Sequence, residues 1–280
     1  MLHIRFFGTP VFMVGDRPLT ALTRSPILTN LFAFLVTYRV RPHSRSVLAA
    51  MFWPNVPESQ ARRNLNSHLW RLRRMLDVPA AQPSYFLSDE QTIQLNPATP
   101  YWLDVAEFEA ATAVLLQSPH DDAGLAAETV SRLEYAVDLY CGDFLEGVYA
   151  DWCLGPRERL REQYLLALET LLRAHLAMGQ LEAALRHAQS LAQADPLHED
   201  AHFQLIQLYA RLGRQHEARA QYRRYETLWL DELQLDPSPR MKALIRGNYL
   251  AALAKLEQAL SLTTPETASL VRVMIGGPSG

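Results

Sequence analysis

Ala61-Arg62-Arg63-Asn64-Leu65-Asn66-Ser67-His68-Leu69-Trp70-Arg71-Leu72-Arg73-Arg74-Met75-Leu76 holds a buried stripe and a charged face in one segment. Ala61, Leu65, Leu69, Leu72 and Leu76 follow one another at steps of four, four, three and four. That spacing lays them along one side of a helix expected over about Glu58 to Leu76. The opposite side presents Arg63, Asn66, Ser67, Trp70, Arg71 and Arg74, flanked by Arg62 and Arg73. Arginine-rich helix faces are common in solvent, but there the signs usually alternate. Here five arginines and no acid lie between 61 and 76, so no i,i+4 ion pair inside the stretch neutralises them. A major groove needs this kind of surface. Arginine bonds guanine bidentately, asparagine bonds adenine, surplus arginines meet phosphates, and an exposed Trp70 packs on thymine methyls or sugars.

Working outward, two short apolar segments at 3–7 and 10–14, with a turn at Gly15-Asp16-Arg17-Pro18, predict a small antiparallel sheet. A helix is expected from Pro26 to Tyr38, with Ile27, Leu28, Leu31, Phe32, Leu35 and Val36 on one face. Pro42 breaks the chain, and Ser44 stands where an N-cap would open a short helix from Arg45 to Phe52. Arg45, at its start, is placed to meet a phosphate. After a loop at Pro79–Pro83, residues 85–95 read as strand, turn and strand, with an acidic tip at Ser88-Asp89-Glu90-Gln91. Sheet, three helices and terminal hairpin is the order of a winged helix-turn-helix, an α+β domain over 1–103. The acidic tip sits poorly with a wing entering a groove.

Charge follows the same division. Residues 1–103 carry eleven arginines, no lysine and five acids, a net of +6, while the remaining 16 basic and 25 acidic residues leave −9. A basic third beside an acidic remainder fits a nucleic-acid module joined to something else.

From Asp104 onward the pattern is helical. Long helices are expected to end at Met178-Gly179 and Leu212-Gly213, glycines 34 residues apart, which is the tetratricopeptide period. Ala184 and Ala218 match in that frame, Pro196 closes the first unit, and Leu205 with Tyr209 fill packing positions of the second. Further helices at about 104–117, 126–141 and 238–260 would flank the repeats, giving an all-α tetratricopeptide-like domain over 104–262. Residues 263–280, with Thr-Thr-Pro-Glu and Gly-Gly-Pro-Ser-Gly, read as a linker or disordered tail, and the chain as a possible fragment of a longer one.

Cys141 and Cys153 alone make no disulfide framework or zinc site, no apolar run reaches a membrane span, and the N-terminus is unlike a signal peptide. These features place the chain in the cytoplasm. No phosphate-binding glycine loop, Gly-x-Ser-x-Gly or His-Glu-x-x-His occurs, so neither an enzyme, a cofactor nor a metal is expected. The leading reading is a promoter-binding regulator. The competing one is a protein-interaction scaffold built on the helical repeats, with weak or no DNA binding.

Several motifs sharpen this. Arg41-Pro42-His43-Ser44-Arg45, Phe52-Trp53-Pro54, Asn64-Leu65 and Leu69 through Leu76 occur in the first part. Trp102-Leu103-Asp104-Val105-Ala106-Glu107-Phe108, Leu139 through Gly147, Arg157 through Arg161, Asp195 through Glu199 and Asp231 through Pro239 follow in order. Together they resemble the antibiotic-regulatory-protein (SARP) type of bacterial activators, a winged helix followed by a bacterial transcriptional activator domain. The resemblance covers about residues 1–250. It implies binding to repeated promoter elements by side-by-side protomers and activation through RNA polymerase, with the helical domain making protein contacts. Ser25-Pro26-Ile27-Leu28 departs from the basic residue and alanines usual in that family, which removes a phosphate contact there. Many relatives continue into a nucleotide-binding domain; this sequence holds none, and no ATP site is carried over.

Overall fold

The computed structural model describes residues 1–76, 83–117 and 125–247. The chain forms two compact units, one of Met1–His120 and Ala126–Ala167, the other of Asp121–Leu125 and Leu168–Gly280. The elements of the first are β1 (Leu2–Arg5), β2 (Val11–Val14), β3 (Arg17–Pro18), α1 (Thr20–Thr23), α2 (Pro26–Thr37), β4 (His43–Ser44), α3 (Arg45–Phe52) and α4 (Glu58–Leu76). Then come β5 (Phe86–Ser88), β6 (Thr92–Leu95), β7 (Tyr101–Leu103), α5 (Asp104–Gln117), α6 (Ala127–Leu139) and the first part of α7 (Leu154–Ala177).

β1 to β3 pair antiparallel as the alternating apolar residues predict, Leu2 and Ile4 being fully buried. The fourth strand of that sheet was not foreseen: β7 lies parallel to β1, with Leu2 opposite Tyr101 and Ile4 opposite Leu103. A second sheet has the order β4-β6-β5. Between the sheets runs α2, and its burial is wider than one face. Leu28, Leu31, Phe32, Ala33, Phe34, Leu35 and Val36 are all buried. Phe32 meets Phe12 of the first sheet and Phe86 of the second, while Phe34 meets Phe52 and Trp152. A helix enclosed from several sides reads as apolar all round.

Ser44 holds the N-cap position of α3 with extended backbone, but its hydroxyl makes no cap bond. It lies 2.8 Å from the Ser46 hydroxyl instead. The strand pairing of Ser44 with Thr92, and the bond from Arg45 N–H to the Gln91 carbonyl at 2.8 Å, set the start of this helix from the hairpin.

This unit runs past residue 103 because the end of β1 is tied to later segments. The Asp104 carboxylate, buried at the start of α5, accepts the N–H groups of Phe6, Phe7 and Val105 at 2.7–2.9 Å. Burial raises its pKa, against the pull of those amides. Gly8 N–H donates to the Asp143 carbonyl, and Leu145 N–H to that of Phe6. Arg157 then fixes the 144–148 turn by donating to the carbonyls of Phe144, Leu145 and Val148 at 2.8–2.9 Å.

The second unit holds the rest of α7, α8 (Leu181–Ala194), α9 (Glu199–Arg211), α10 (Gln215–Leu228), a π-helical turn at Trp229–Leu233 and a helix over 239–247. Gly179 and Gly213 adopt φ of +71° and +77°. The same closing bond follows each: Gln180 N–H to the His175 carbonyl at 2.9 Å, and Arg214 N–H to the Tyr209 carbonyl at 2.8 Å. This reversal lets a glycine end one helix and the next begin two residues later. Ala184 and Ala218, in matching places, are buried with at most 1% exposure. Leu205 is buried and the Tyr209 hydroxyl accepts from Gln189.

Among the described residues no helix is long and apolar enough to cross a membrane. The loop expected at 79–83 up to residue 82, the helix beyond 247 and the tail at 263–280 lie outside the described residues.

Candidate nucleic-acid interface

α4 buries Ala61, Leu65, Leu69, Leu72 and Leu76, the stripe read from the sequence. A nineteen-residue helix with that stripe inward turns its remaining residues out. Arg62, Arg63, Asn66, Ser67, Trp70, Arg71 and Arg74 are exposed, and Arg73 is half-buried. Trp70 is 56% exposed, a large aromatic surface left open on a charged helix. The Arg74 guanidinium lies over it, 4.8 Å from the ring centroid, which holds the indole flat beneath a cation.

The arginines differ in what they touch. Arg62 pairs with Glu58 at 2.7 Å, one turn before the acid-free stretch, so this flank is partly neutralised. Arg63 donates to Gln60 Oε1 at 2.6 Å. Arg73 reaches the hairpin, donating to Ser88 Oγ at 2.6 Å. Arg45 donates to Asn66 Oδ1 at 2.6 Å and to the Asp89 carbonyl at 3.3 Å. Arg71 has no hydrogen bond or ion pair among the described residues. Partial burial and the neighbouring Arg73 guanidinium both lower the pKa of Arg45, the signature of two cations held near each other.

Sequence reasoning named Arg45, Arg62 and Asn66 but missed Ser44 and Ser46, which join them into one surface. With Gln91 and one acid, Glu90, they line a concavity of about 320 Å³ between the start of α3, the face of α4 and the hairpin tip. Two serines flanking an arginine at a helix start were the available signal. The acidic tip also has a local cause. Asp89 accepts from Gln91 N–H at 2.7 Å, Thr92 N–H at 2.6 Å and the Thr92 hydroxyl at 3.0 Å. Those bonds hold its carboxyl below the usual range, so the charge is spent closing its own turn. His68 packs on Trp53 with ring centroids 5.1 Å apart, and its Nδ1 lies 2.7 Å from the Asn64 carbonyl.

The result is a convex helix face carrying cations, an amide and an aromatic ring, stitched to a hairpin by Arg45 and Arg73. Chemically it can accept a polyanion along its flanks and donate to hydrogen-bond acceptors along its centre.

Comparison with known proteins agrees with the order of these parts. The family model for the bacterial transcriptional activator domain matches residues 103–248. The regulatory protein AfsR of Streptomyces coelicolor is 32% identical over 252 residues, covering 89% of this chain and 24% of AfsR. The transcriptional regulatory protein EmbR of Mycobacterium tuberculosis is 30% identical over 232 residues, covering 79% of this chain and 56% of EmbR. The regulatory protein DnrI of Streptomyces peucetius is 26% identical over 253 residues, covering 87% and 90%. This chain therefore spans about a quarter of AfsR and little over half of EmbR. Among solved structures, M. tuberculosis EmbR in complex with a low-affinity phosphopeptide shares the fold at a TM-score of 0.65 and 23% identity, over 89% of this chain and 65% of that one. With the family model matching over half its length, the chain belongs to the bacterial transcriptional activator domain family, among regulators of the antibiotic-regulatory-protein type.

Proposed function

We propose that this chain is a sequence-specific transcription regulator that binds double-stranded promoter DNA through α4 in the major groove. The observation that carries the proposal is the outer face of α4, where Arg63, Asn66, Ser67, Trp70, Arg71 and Arg74 stand exposed with no acid among them. On this reading the first unit works as a winged helix-turn-helix. The hairpin β5–β6 is the wing, held at a fixed angle to α4 by Arg73 and Ser88. Arg71, free of partners among the described residues, is the principal base-reading side chain, and Asn66 reads beside it. Arg45, Arg62, Ser44 and Ser46 grip the phosphate backbone. Trp70 packs on thymine methyls or sugars. The 34-residue pairs α7–α8 and α9–α10 act as tetratricopeptide-like units that contact RNA polymerase or a neighbouring protomer on repeated elements. No chemical step belongs to this reading, and its setting is the bacterial cytoplasm.

The test is footprinting on the DNA upstream of the chain's own and neighbouring operons. Specific protection should fall steeply with salt, with a log–log slope of about −5 if six phosphates are neutralised. Arg71→Ala should remove specific protection and leave weak salt-sensitive binding. Absence of protection at low salt would overturn the proposal in favour of the scaffold reading.

A further inference from the structure

A second concavity in the first unit lies apart from the face assigned to DNA. It opens between the end of α2, the start of α5 and the first turn of α7, and has a volume of about 490 Å³. That size falls within the range of small-molecule sites, roughly 300–1,000 Å³. Its apolar surface comes from the half-buried Tyr38 and Pro156 and the exposed Val40, over a floor closed by the buried Phe6, Val105, Phe144 and Leu160.

Three charges guard the mouth. Glu109 takes Arg159 at 2.7 Å, while Arg39 stands off the same carboxylate at 3.9 Å. Two cations against one anion leave an excess of one positive charge. The excess belongs to Arg39, whose other contact is a 3.4 Å bond to the Val36 carbonyl, so most of its five N–H donors are unspent among the described residues. A planar guanidinium with free donors matches a carboxylate bidentately. Glu109, 3.9 Å from Arg39, repels a doubly charged phosphate more than a single carboxylate, and an uncharged apolar molecule would leave Arg39 as it is.

We infer that this cleft binds a small amphipathic monocarboxylate, its apolar body against Tyr38, Val40 and Pro156 and its carboxylate on Arg39. The ligand would touch the end of α2, the helix whose inner face packs behind the DNA-reading unit. An effect on promoter binding rests on the function proposed above; the binding itself does not.

Isothermal titration of the full chain with 4-phenylbutyrate, with 4-phenylbutanol as the uncharged control, tests this. The acid should bind saturably at one site with a dissociation constant of about 1 mM or tighter, and the alcohol about tenfold more weakly or worse. Arg39→Gln should lose about tenfold for the acid alone. Gly155 lines the cleft, its Cβ position has nothing within 4 Å and its φ is ordinary, so Gly155→Leu starts a side chain in open space and fills the cleft. That variant should keep its unfolding temperature and its DNA footprint but lose the acid. No saturable binding of the acid, equal binding of acid and alcohol, or wild-type binding by both variants would overturn the inference. Footprints measured on the same preparations report on the DNA reading separately, so either can fail alone.

Discussion

Arg45 donates from Nη2 to the side-chain oxygen of Asn66 at 2.6 Å, joining the start of α3 to the exposed face of α4. An arginine has no acceptor, so the amide is oriented: its oxygen faces Arg45 and its NH₂ faces outward. Bidentate recognition of adenine needs both atoms of the amide. In this arrangement one lone pair of the Asn66 oxygen is held by Arg45, which weakens its acceptor side and favours its donors, suited to guanine or thymine.

Arg45→Ala should therefore do two things at once in a DNA-binding assay. Overall affinity falls with the lost cation, and preference at the base facing Asn66 moves towards adenine. In a double-mutant cycle with Asn66→Ala the two losses should couple by about 1 kcal/mol. Strict additivity would mean that the pair does not act together on DNA.

Asp104→Ala removes the acceptor of three buried N–H groups, those of Phe6, Phe7 and Val105. The expected loss is about 3–5 kcal/mol in urea unfolding, since buried donors left unsatisfied cost more than the bonds themselves gain. Asp104→Asn, which keeps one oxygen, should lose less. A loss under about 1 kcal/mol for the alanine variant would contradict the role given to this carboxylate.

His202 lies buried with Nε2 3.0 Å from the Pro196 carbonyl and Nδ1 2.7 Å from the Gln221 amide nitrogen. Gln221 donates to Nδ1, so the ring is neutral with its proton on Nε2. Burial depresses its pKa below the ordinary 6.5. The folded state thus takes up the proton less readily than the unfolded one. Its stabilising effect is complete above about pH 6.5 and is lost as pH falls through the lower folded value. Melting temperatures should decline over that interval, and the decline should flatten in His202→Gln.

Gly179 and Gly213 carry left-handed φ with nothing within 4 Å of a Cβ. Alanine at either should cost about 1 kcal/mol for backbone conformation alone, read by urea unfolding. Similar costs at both would mark the two turns as equivalent.

What could be read from the sequence was local. The four- and three-residue steps of Ala61 to Leu76 fixed the inward side of α4, and turn residues bounded α2, α3 and the hairpin. Side chains joined over distance were not legible. Arg73 bonds across to Ser88, and Ser44 follows strand pairing with Thr92 rather than capping, whereas the Glu58–Arg62 pair, four residues apart on one helix, was readable. The Asp89 tip was a closer miss. An aspartate three residues before a threonine in a tight turn signals a closed loop as much as an exposed charge. The parallel partner of β1 could not be found from periodicity at all, because its three residues give no pattern.

That parallel pairing has a consequence for how the chain is made. β1 leaves the ribosome well before its partner β7 and the Asp104 carboxylate, which follow about a hundred residues later. Until then one edge of β1 is open and the amides of Phe6 and Phe7 lack their acceptor. Contacts so distant in sequence form slowly and leave strand edges exposed while they wait. The first unit is thus completed only after α2, α3 and α4 have been released, and a nascent chain stalled before residue 104 would be the form most prone to aggregate.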